Sequence, residues 1–354
     1  MTKRVSIDGR EIGKGCKPYI VAEMSGNHNH DLVRAISILD AAKACGADAV
    51  KLQTYRADTI TIDHHGDEFI VEGGLWNGRR LFDLYEEAHT PWEWHAPIFE
   101  HSRRIGITVF SSPFDETAVE FLENLGAPAY KIASPELVDL PLIRKVARTG
   151  KPIILSTGAA TFEEIQEAVE TARDAGGKDI IVLHCTAAYP APSDEANLAT
   201  INAIAKSFDV VAGLSDHTMG TAVSTLAVGL GASFIEKHFT LARIDGGVDS
   251  AFSLEPHELT ELVNASRIAQ ATVGIPTFGP TKSEASVLKN RRSLYVVKAI
   301  AKGEILTLDN IRSIRPANGL KPKYFDSVIG RKVVRDIHFG EPLSIEMIDG
   351  SLLI

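Results

Sequence analysis

The 354-residue chain is 44% hydrophobic and 23% charged, which is enough for one large core and a small companion domain. It contains no run of 18 apolar residues and no signal-peptide pattern, so we expect a cytoplasmic protein with no membrane partner. A formal net charge of −9 argues against nucleic acid as a partner, and three scattered cysteines argue against a disulfide framework.

Strand-like and helix-like segments alternate along most of the chain. Eight apolar runs resemble buried strands, with amphipathic stretches between them. The runs cover residues 20–24, 49–55, 108–113, 129–134, 152–157, 180–186, 210–217 and 234–240. Because strands separated by helices pair in parallel, eight such units in roughly 220 residues predict an α/β fold of the TIM (β/α)8 barrel type. An open doubly wound sheet is the rival, but the first strand is not followed by GxGxxG.

Flanking and inserted segments extend this core. We predict an N-terminal hairpin that caps the barrel (1–19), the barrel itself (20–275), a linker (276–290) and a small C-terminal domain (291–354). The last contains a repeat, AIAKGEILTLDNI against DIHFGEPLSIEMI, which predicts two halves related by a pseudo-twofold axis. The insertion after the second strand contains GGLW, a loop signal that would place Trp76 at the rim, where a sugar could stack on it.

Polar residues occupy alternate positions near the carboxyl ends of the predicted strands. Catalytic groups of TIM barrels lie at these ends, where a purely structural core would carry Val, Ile and Leu. The set is Glu23, Ser25, Asn27, Lys51, Gln53, Ser112, Lys131, Ser134, Glu136, Ser156, Ser215, His217, Glu236 and His238, with the alternation slipping between Lys131 and Ser134.

The chemistry of this set indicates two functions. The lysines and serines are donors that converge on one volume, which suits a phosphate or a phosphorylated carboxylate. His217 and His238 end neighbouring strands roughly 5 Å apart, so they can share a divalent metal, with Mn²⁺ favoured and Mg²⁺, Co²⁺ or Zn²⁺ possible. Alternatively, Lys51 and Lys131 form structural ion pairs with Glu23 and Glu136. The side chain of Lys237 lies on the opposite face of its strand, and it is predicted to form such an ion pair.

Motifs across the whole chain resemble the sialic acid synthase family. They include AEMSGNH, KLQTY, FSSPF, YKIASPE, PIILSTG, GLSDHT, IEKHFT and the C-terminal IRPANG. EFIVEGGLW and TPWEWH resemble the pseudaminic acid synthase branch of that family. The resemblance implies a TIM barrel followed by a small antifreeze-like (SAF) domain, in a domain-swapped homodimer where each SAF domain covers the partner's active site.

The resemblance also implies an activity. The family condenses phosphoenolpyruvate with an N-acylated amino sugar and water, releasing phosphate by C–O cleavage and forming a nine-carbon 2-keto acid sugar. For the pseudaminic branch the sugar is 2,4-diacetamido-2,4,6-trideoxy-altropyranose. Ala187 replaces an Asn that is usual in N-acetylneuraminate synthases, which favours this branch. Alternatives are an N-acetylneuraminate or legionaminic acid synthase, a Schiff-base aldolase that uses Lys131 or Lys51, and a non-catalytic sugar- or anion-binding protein.

The same resemblance implies a role for each site residue. His217 and His238 would bind the metal. Phosphoenolpyruvate would contact Lys51, Ser112, Lys131, Ser134, Ser156 and Ser215. Sugar contacts and acid–base carboxylates would be Glu23, Gln53, Glu136, Tyr189 and Asp249, with Glu236 as a further sugar contact or support. Glu23, Glu136 and Lys131 would be catalytic, and Arg315 of the C-terminal domain would reach the N-acyl group.

Overall fold

The computed structural model describes residues 3–350, and the chain divides into two compact units with the boundary between Gly274 and Ile275. None of the helices in this range combines the length and the apolar character needed to cross a membrane.

The first unit begins with an antiparallel hairpin, β1 (Arg4–Ile7) and β2 (Arg10–Gly13). Its turn uses Asp8 and Gly9, both in the left-handed region with φ of 50° and 78°. Alternation turns Val5, Ile7 and Ile12 inward, where they are buried with barrel residues at the start of the strands. The hairpin therefore closes the amino-terminal end of the barrel with hydrocarbon, and the opposite end remains for chemistry.

Eight parallel strands form a closed barrel, which confirms the predicted fold. They are β3 (Tyr19–Glu23), β4 (Ala49–Thr54), β5 (Thr108–Pro113), β6 (Tyr130–Ile132), β7 (Ile153–Ser156), β8 (Ile180–Cys185), β9 (Val211–Asp216) and β10 (Phe234–His238). All eight strands lie within the predicted runs or extend them by one residue. β6 is the shortest, because the chain turns at Ser134 into a single 3₁₀ turn over Pro135–Val138.

Helices connect the strands, and most of them cover the outside of the barrel. They are α1 (Leu32–Cys45), α2 (Ala57–Ile60), α3 (Leu81–Ala88), α4 (Trp92–Ile105), α5 (Glu116–Leu125), α6 (Leu140–Ala147), α7 (Phe162–Asp174), α8 (Ala199–Phe208), α9 (Ala222–Gly229) and α10 (Pro256–Val273). Local signals set their ends: Thr161 and Glu164 form a capping box on α7, and Gly46 ends α1 with a φ of 86°. The apolar faces of all of them except α2 and α3 pack against the outward side chains of the strands in one continuous core, whereas α2 and α3 contribute residues to a cavity at the barrel mouth.

The second unit contains α11 (Ala285–Lys289), the antiparallel pair β11 (Ser293–Val296) and β12 (Ile311–Ile314), and α12 (Phe325–Val328). Its backbone hydrogen bonds confirm the predicted internal symmetry, since residues 37 apart play the same part. The bond from Gly303 N to Val333 O is matched by the bond from Gly340 N to Val296 O. Ile300 and Ile337 exchange both of their bonds, as residues on a twofold axis do.

Candidate active site

The sequence FIEKHFT in β10 places charged side chains on both faces of the barrel wall. Glu236 and His238 share one face, and Lys237 points the other way. Lys237 Nζ lies 3.0 Å from Asp216 Oδ2 and also donates to Thr218 O, with both charged side chains buried. The predicted ion pair at Lys237 is confirmed.

Inside the barrel mouth, two lysines and two glutamates form one buried network. Lys51 Nζ of β4 lies 2.5 Å from Glu23 Oε2 of β3 and 3.7 Å from Glu236 Oε1. Lys131 Nζ of β6 lies 2.8 Å from the same Glu236 oxygen. The alternative of lysine ion pairs is thus right for Lys51 with Glu23, but the partner of Lys131 is Glu236 and not Glu136.

The four charges of this network sum to zero when all are ionised, and the carboxylates do not ionise equally. Burial raises the pKa of Glu23 to about 7, with Lys51 opposing the shift and Glu236 adding to it. Burial also disfavours ionised Glu236, but Lys131 and Lys51 outweigh it and lower its pKa. Protonation of Glu23 near neutral pH therefore leaves the network with a net positive charge, which suits an incoming anion.

The same network argues against a Schiff-base lysine. Burial favours the neutral amine of Lys51, but the carboxylates of Glu23 and Glu236 outweigh it and raise the pKa of Lys51 above its ordinary value. Lys131 is held at hydrogen-bond distance from a carboxylate. A protonated ammonium is a good anion ligand and a poor nucleophile, so the geometry favours charge binding over covalent catalysis.

Two of the four predicted serines contact this network. Ser112 Oγ accepts from Lys51 Nζ at 3.2 Å, and Ser215 Oγ donates to Glu236 at 3.5 Å. Ser134 Oγ accepts from the backbone N–H of Gly158 at 3.0 Å. Ser156 Oγ is buried without a hydrogen-bond partner. An unpartnered buried hydroxyl is costly, and a bound oxyanion would satisfy it.

The two histidines meet beside this network. Their ring centroids lie 5.4 Å apart, and both rings are buried. His217 Nδ1 lies 2.9 Å from Thr186 O, which orients the ring and leaves Nε2 for a ligand. His238 Nδ1 has no hydrogen-bond partner and lies 3.8 Å from Asp249 Oδ2. Burial lowers the pKa of His217 to about 4 and that of His238 well below its ordinary value, so both are neutral, as metal ligands must be.

A cavity of about 350 Å³ opens at the barrel mouth. Five predicted site residues contribute to its polar lining: Gln53, Glu136, Tyr189, His238 and Asp249. Glu136 Oε2 is buried without a partner, and burial raises the pKa of this side chain to about 7. Gln53 Nε2 donates to Glu23 Oε1 at 3.3 Å and so joins the cavity to the charged network.

Four more residues extend the lining of this cavity. Ser25, Tyr55 and Phe114 line it directly after their strands, and Trp76 lies 5.3 Å from the Tyr189 ring as a partner at the rim. Of these four, Ser25 belongs to the predicted polar set at the strand ends and Trp76 is the predicted sugar-stacking residue, whereas Tyr55 and Phe114 were not predicted. Tyr55 closes the motif KLQTY and Phe114 closes FSSPF, so their position after a strand end was the available signal.

Two groups remain outside this arrangement. Arg315 is exposed directly after β12 in the second unit, and its predicted contact with an N-acyl group stays a prediction. Among residues 3–350, one group of three candidate ligands has its atoms within 4.8 Å of one another: Glu255, His257 and Glu258. The carboxylates of Glu255 and Glu258, at the start of α10, both form ion pairs with Arg243. These ion pairs account for the cluster without a metal.

Comparison with known proteins identifies the family. Residues 38–277 match the NeuB family profile, and residues 291–349 match the SAF domain. The chain belongs to the NeuB family. Helicobacter pylori pseudaminic acid synthase is 45% identical over 95% of this chain and 99% of its own length. Legionella pneumophila N,N'-diacetyllegionaminic acid synthase is 32% identical over 95% of this chain and 96% of its own.

A solved structure agrees with the NeuB assignment. The N-acetylneuraminic acid synthetase of Leptospira borgpetersenii superposes with a TM-score of 0.73 at 30% identity, covering 81% of this chain and 96% of that one. Identity is thus higher to the protein named for pseudaminic acid than to those named for legionaminic or N-acetylneuraminic acid. The resemblance seen in the sequence motifs is confirmed at the level of the family, the barrel and the SAF domain.

Proposed function

We propose that this NeuB-family enzyme is a pseudaminic acid synthase. It condenses phosphoenolpyruvate with 2,4-diacetamido-2,4,6-trideoxy-altropyranose and water, giving a nine-carbon 2-keto acid sugar and phosphate. The observation that carries the choice of sugar is the 45% identity, over 95% of the chain, to a protein named pseudaminic acid synthase. The legionaminic and N-acetylneuraminate alternatives are represented by more distant relatives.

Phosphoenolpyruvate would bind at the buried charged network. The ammonium groups of Lys51 and Lys131 offset the charge of its phosphate and carboxylate, and Ser112, Ser134, Ser156 and Ser215 supply neutral donors. The anion competes with Glu236 for both lysines, and protonated Glu23 removes a second negative charge from its surroundings. This arrangement explains why so many charged groups lie at the mouth of one barrel.

The sugar would occupy the 350 Å³ cavity with its open-chain aldehyde toward the histidines. The enol carbon of phosphoenolpyruvate forms a C–C bond to the aldehyde carbon, and water adds to C2 of the former enol. The C–O bond to phosphate then breaks, which leaves the keto group. Glu136, with one unpartnered oxygen and a pKa of about 7, takes the proton from the attacking water, and Glu23 holds a second exchangeable proton nearby.

His217 and His238 would hold a divalent metal ion, with Mn²⁺ first and Mg²⁺, Co²⁺ or Zn²⁺ as alternatives. Both imidazoles are neutral, and the ring of His217 is oriented through its Nδ1, which fits a metal ligand. Such an ion supplies Lewis acidity toward the carbonyl oxygen of the sugar aldehyde. The unpartnered Nδ1 of His238 supports a ligand at this place.

The enzyme would act in the cytoplasm as a domain-swapped homodimer. Three free cysteines fit a reducing compartment. The exposed Arg315 lies in the SAF-matching unit, and in the dimer it would contact the N-acyl group in the partner's site. Mixing the inactive variants Arg315→Ala and Lys131→Ala should restore activity if each dimer contains one intact composite site, whereas independent monomers would stay inactive.

One experiment tests the main proposal. The metal-loaded enzyme is incubated with phosphoenolpyruvate and either the diacetamido-trideoxy sugar or N-acetylmannosamine, and phosphate release is followed. We expect turnover with the first sugar, and ¹⁸O placed in the C–O–P bridge of phosphoenolpyruvate should appear in the phosphate. Turnover with N-acetylmannosamine alone would overturn the assignment.

A further inference from the structure

The cavity has a second, apolar wall that the chemistry above does not use. Ile60, Val71, Leu81 and Leu84 line it, together with the aromatic rings near the rim. We call these four residues the apolar wall. All four come from the insertion between β4 and α4, whereas Gln53, Glu136 and His238 come from the carboxyl ends of barrel strands or the turn directly after one.

The apolar wall is preformed. The N–H of Val71 donates to Arg79 O at 2.8 Å, and its own carbonyl accepts from Gly78 N at 2.8 Å, so the loop is closed on both sides of this residue. The turn between them places Gly73 and Gly78 in the left-handed region, at φ of 75° and 80°. Trp76 Nε1 donates to Val248 O at 3.0 Å, which ties this loop to the one that carries Asp249.

An apolar surface of this kind discriminates between a methyl and a hydroxymethyl group. A methyl gains burial free energy against Leu and Val side chains, whereas a hydroxyl placed there loses its hydrogen bonds to water without replacement. The aldehyde end of the sugar must lie near the histidines and lysines at the strand ends. The far end of its carbon chain is then the part that reaches the insertion.

We propose that the apolar wall is a methyl-selecting subsite that receives the terminal deoxy carbon of the sugar. It makes the enzyme specific for 6-deoxy N-acyl amino sugars over their 6-hydroxy counterparts. This inference rests on the proposed condensation with phosphoenolpyruvate and assigns a specificity role to four residues outside the charged network.

The test compares kcat/KM for the 6-deoxy diacetamido sugar and its 6-hydroxy counterpart, with phosphoenolpyruvate saturating. The wild type should prefer the deoxy sugar by about 100-fold, the range that a hydrophobic pocket achieves against an added hydroxyl. Leu81→Asn and the nearly isosteric Val71→Thr should lower this ratio at least about tenfold and leave KM for phosphoenolpyruvate unchanged. Leu75→Asn is the matched control, since Leu75 lies on the same insertion, is 46% exposed and does not line the cavity. Its ratio should stay that of the wild type.

The outcomes separate the two proposals. If the wild type turns over the deoxy sugar but shows no preference, or if both wall variants fold and keep the wild-type ratio, the subsite is wrong and the synthase assignment stands. If neither sugar is turned over, both fail. A third sugar, the deoxy compound with N-formyl in place of the 4-N-acetyl group, distinguishes the methyl sources. If Leu81→Asn changes the acetyl-to-formyl ratio instead, the apolar wall holds the acetamido methyl, and the proposal as stated is overturned.

Discussion

Removal of the charge of Glu236 tests the buried network most directly. Its Oε1 lies 2.8 Å from Lys131 Nζ and 3.7 Å from Lys51 Nζ. In Glu236→Gln, Lys51 keeps its contact with Glu23 at 2.5 Å. Lys131 keeps no carboxylate within ion-pair distance among residues 3–350. With Glu23 ionised, the variant therefore contains one uncompensated buried ammonium, that of Lys131.

The expected cost follows from that single orphaned charge. Removal of one partner of a buried ion pair costs about 3–5 kcal/mol, and we take ~3 kcal/mol because the amide oxygen still accepts a hydrogen bond from Lys131. For a domain of this size, ~3 kcal/mol corresponds to a fall of about 6–12 °C in Tm. Phosphoenolpyruvate should recover part of this loss, because its negative groups replace the missing partner of Lys131.

Tryptophan fluorescence is a suitable measurement, since Trp76, Trp92 and Trp94, the only tryptophans, all lie in the barrel unit. The matched control is Glu120→Gln, which removes the partner of Lys145 in a pair of 2.5 Å on the surface, where the Glu120 side chain is 64% exposed. Its Tm should not change measurably. If Glu236→Gln also leaves Tm unchanged, or if phosphoenolpyruvate stabilises it no more than the wild type, the proposed charge compensation is wrong.

Three further predictions concern acid–base chemistry, the metal and the barrel interior. Burial raises the pKa of Glu136 to about 7, and its carboxylate form is the proposed base, so kcat should rise as the pH increases through about 7. Glu136→Gln should abolish that rise. A fall of kcat over this pH range would instead make the residue an acid. His238→Ala should weaken Mn²⁺ binding in calorimetric titration by about 100-fold or more, whereas His257→Ala, at an exposed position, should not change it. Gly213→Ala should lower Tm because the new methyl group would collide with the Phe234 backbone, at a cost of ~1–3 kcal/mol. The control is Gly229→Ala, which should be neutral or stabilising because Gly229 lies in a helix with open space around it. Equal changes in Tm for the two variants would contradict this packing argument.

The strands of the barrel could be predicted because each is a short apolar run bounded by turn residues. The inward set at the mouth could be predicted as well, since alternation alone puts Glu236 and His238 on one face and Lys237 on the other. Parity failed as a guide at β6, where the strand ends at Ile132 and Glu136 reaches the cavity from a 3₁₀ turn instead. Its position directly after the strand predicts a place near the site, and the family resemblance adds its acid–base role.

Pairings across the barrel could not be predicted from the sequence. Lys131 lies 105 residues from Glu236 and only five from Glu136, so the nearer residue was the natural candidate. The choice depends on the stagger of strands around a closed sheet, which brings the side chains of β6 and β10 together across the interior. Alternation gives the face of a side chain, but it does not give its height along the barrel axis. The apolar wall was missed for a related reason, because its four residues come from a loop whose turns show only as scattered glycines.

The buried carboxylates show where this fold sacrifices stability for chemistry. A carboxyl whose pKa is raised on folding contributes most to stability below its unfolded pKa, and that contribution is lost as pH rises through the folded value. For Glu23 and Glu136 this stabilising contribution is lost between pH of about 4.5 and pH of about 7, so near neutral pH both side chains oppose folding. The dry core around the hairpin and the outer helices offsets this cost. Since no packing argument requires carboxylates at these two positions, their retention in a buried mouth is better explained by proton transfer to a bound substrate than by structure.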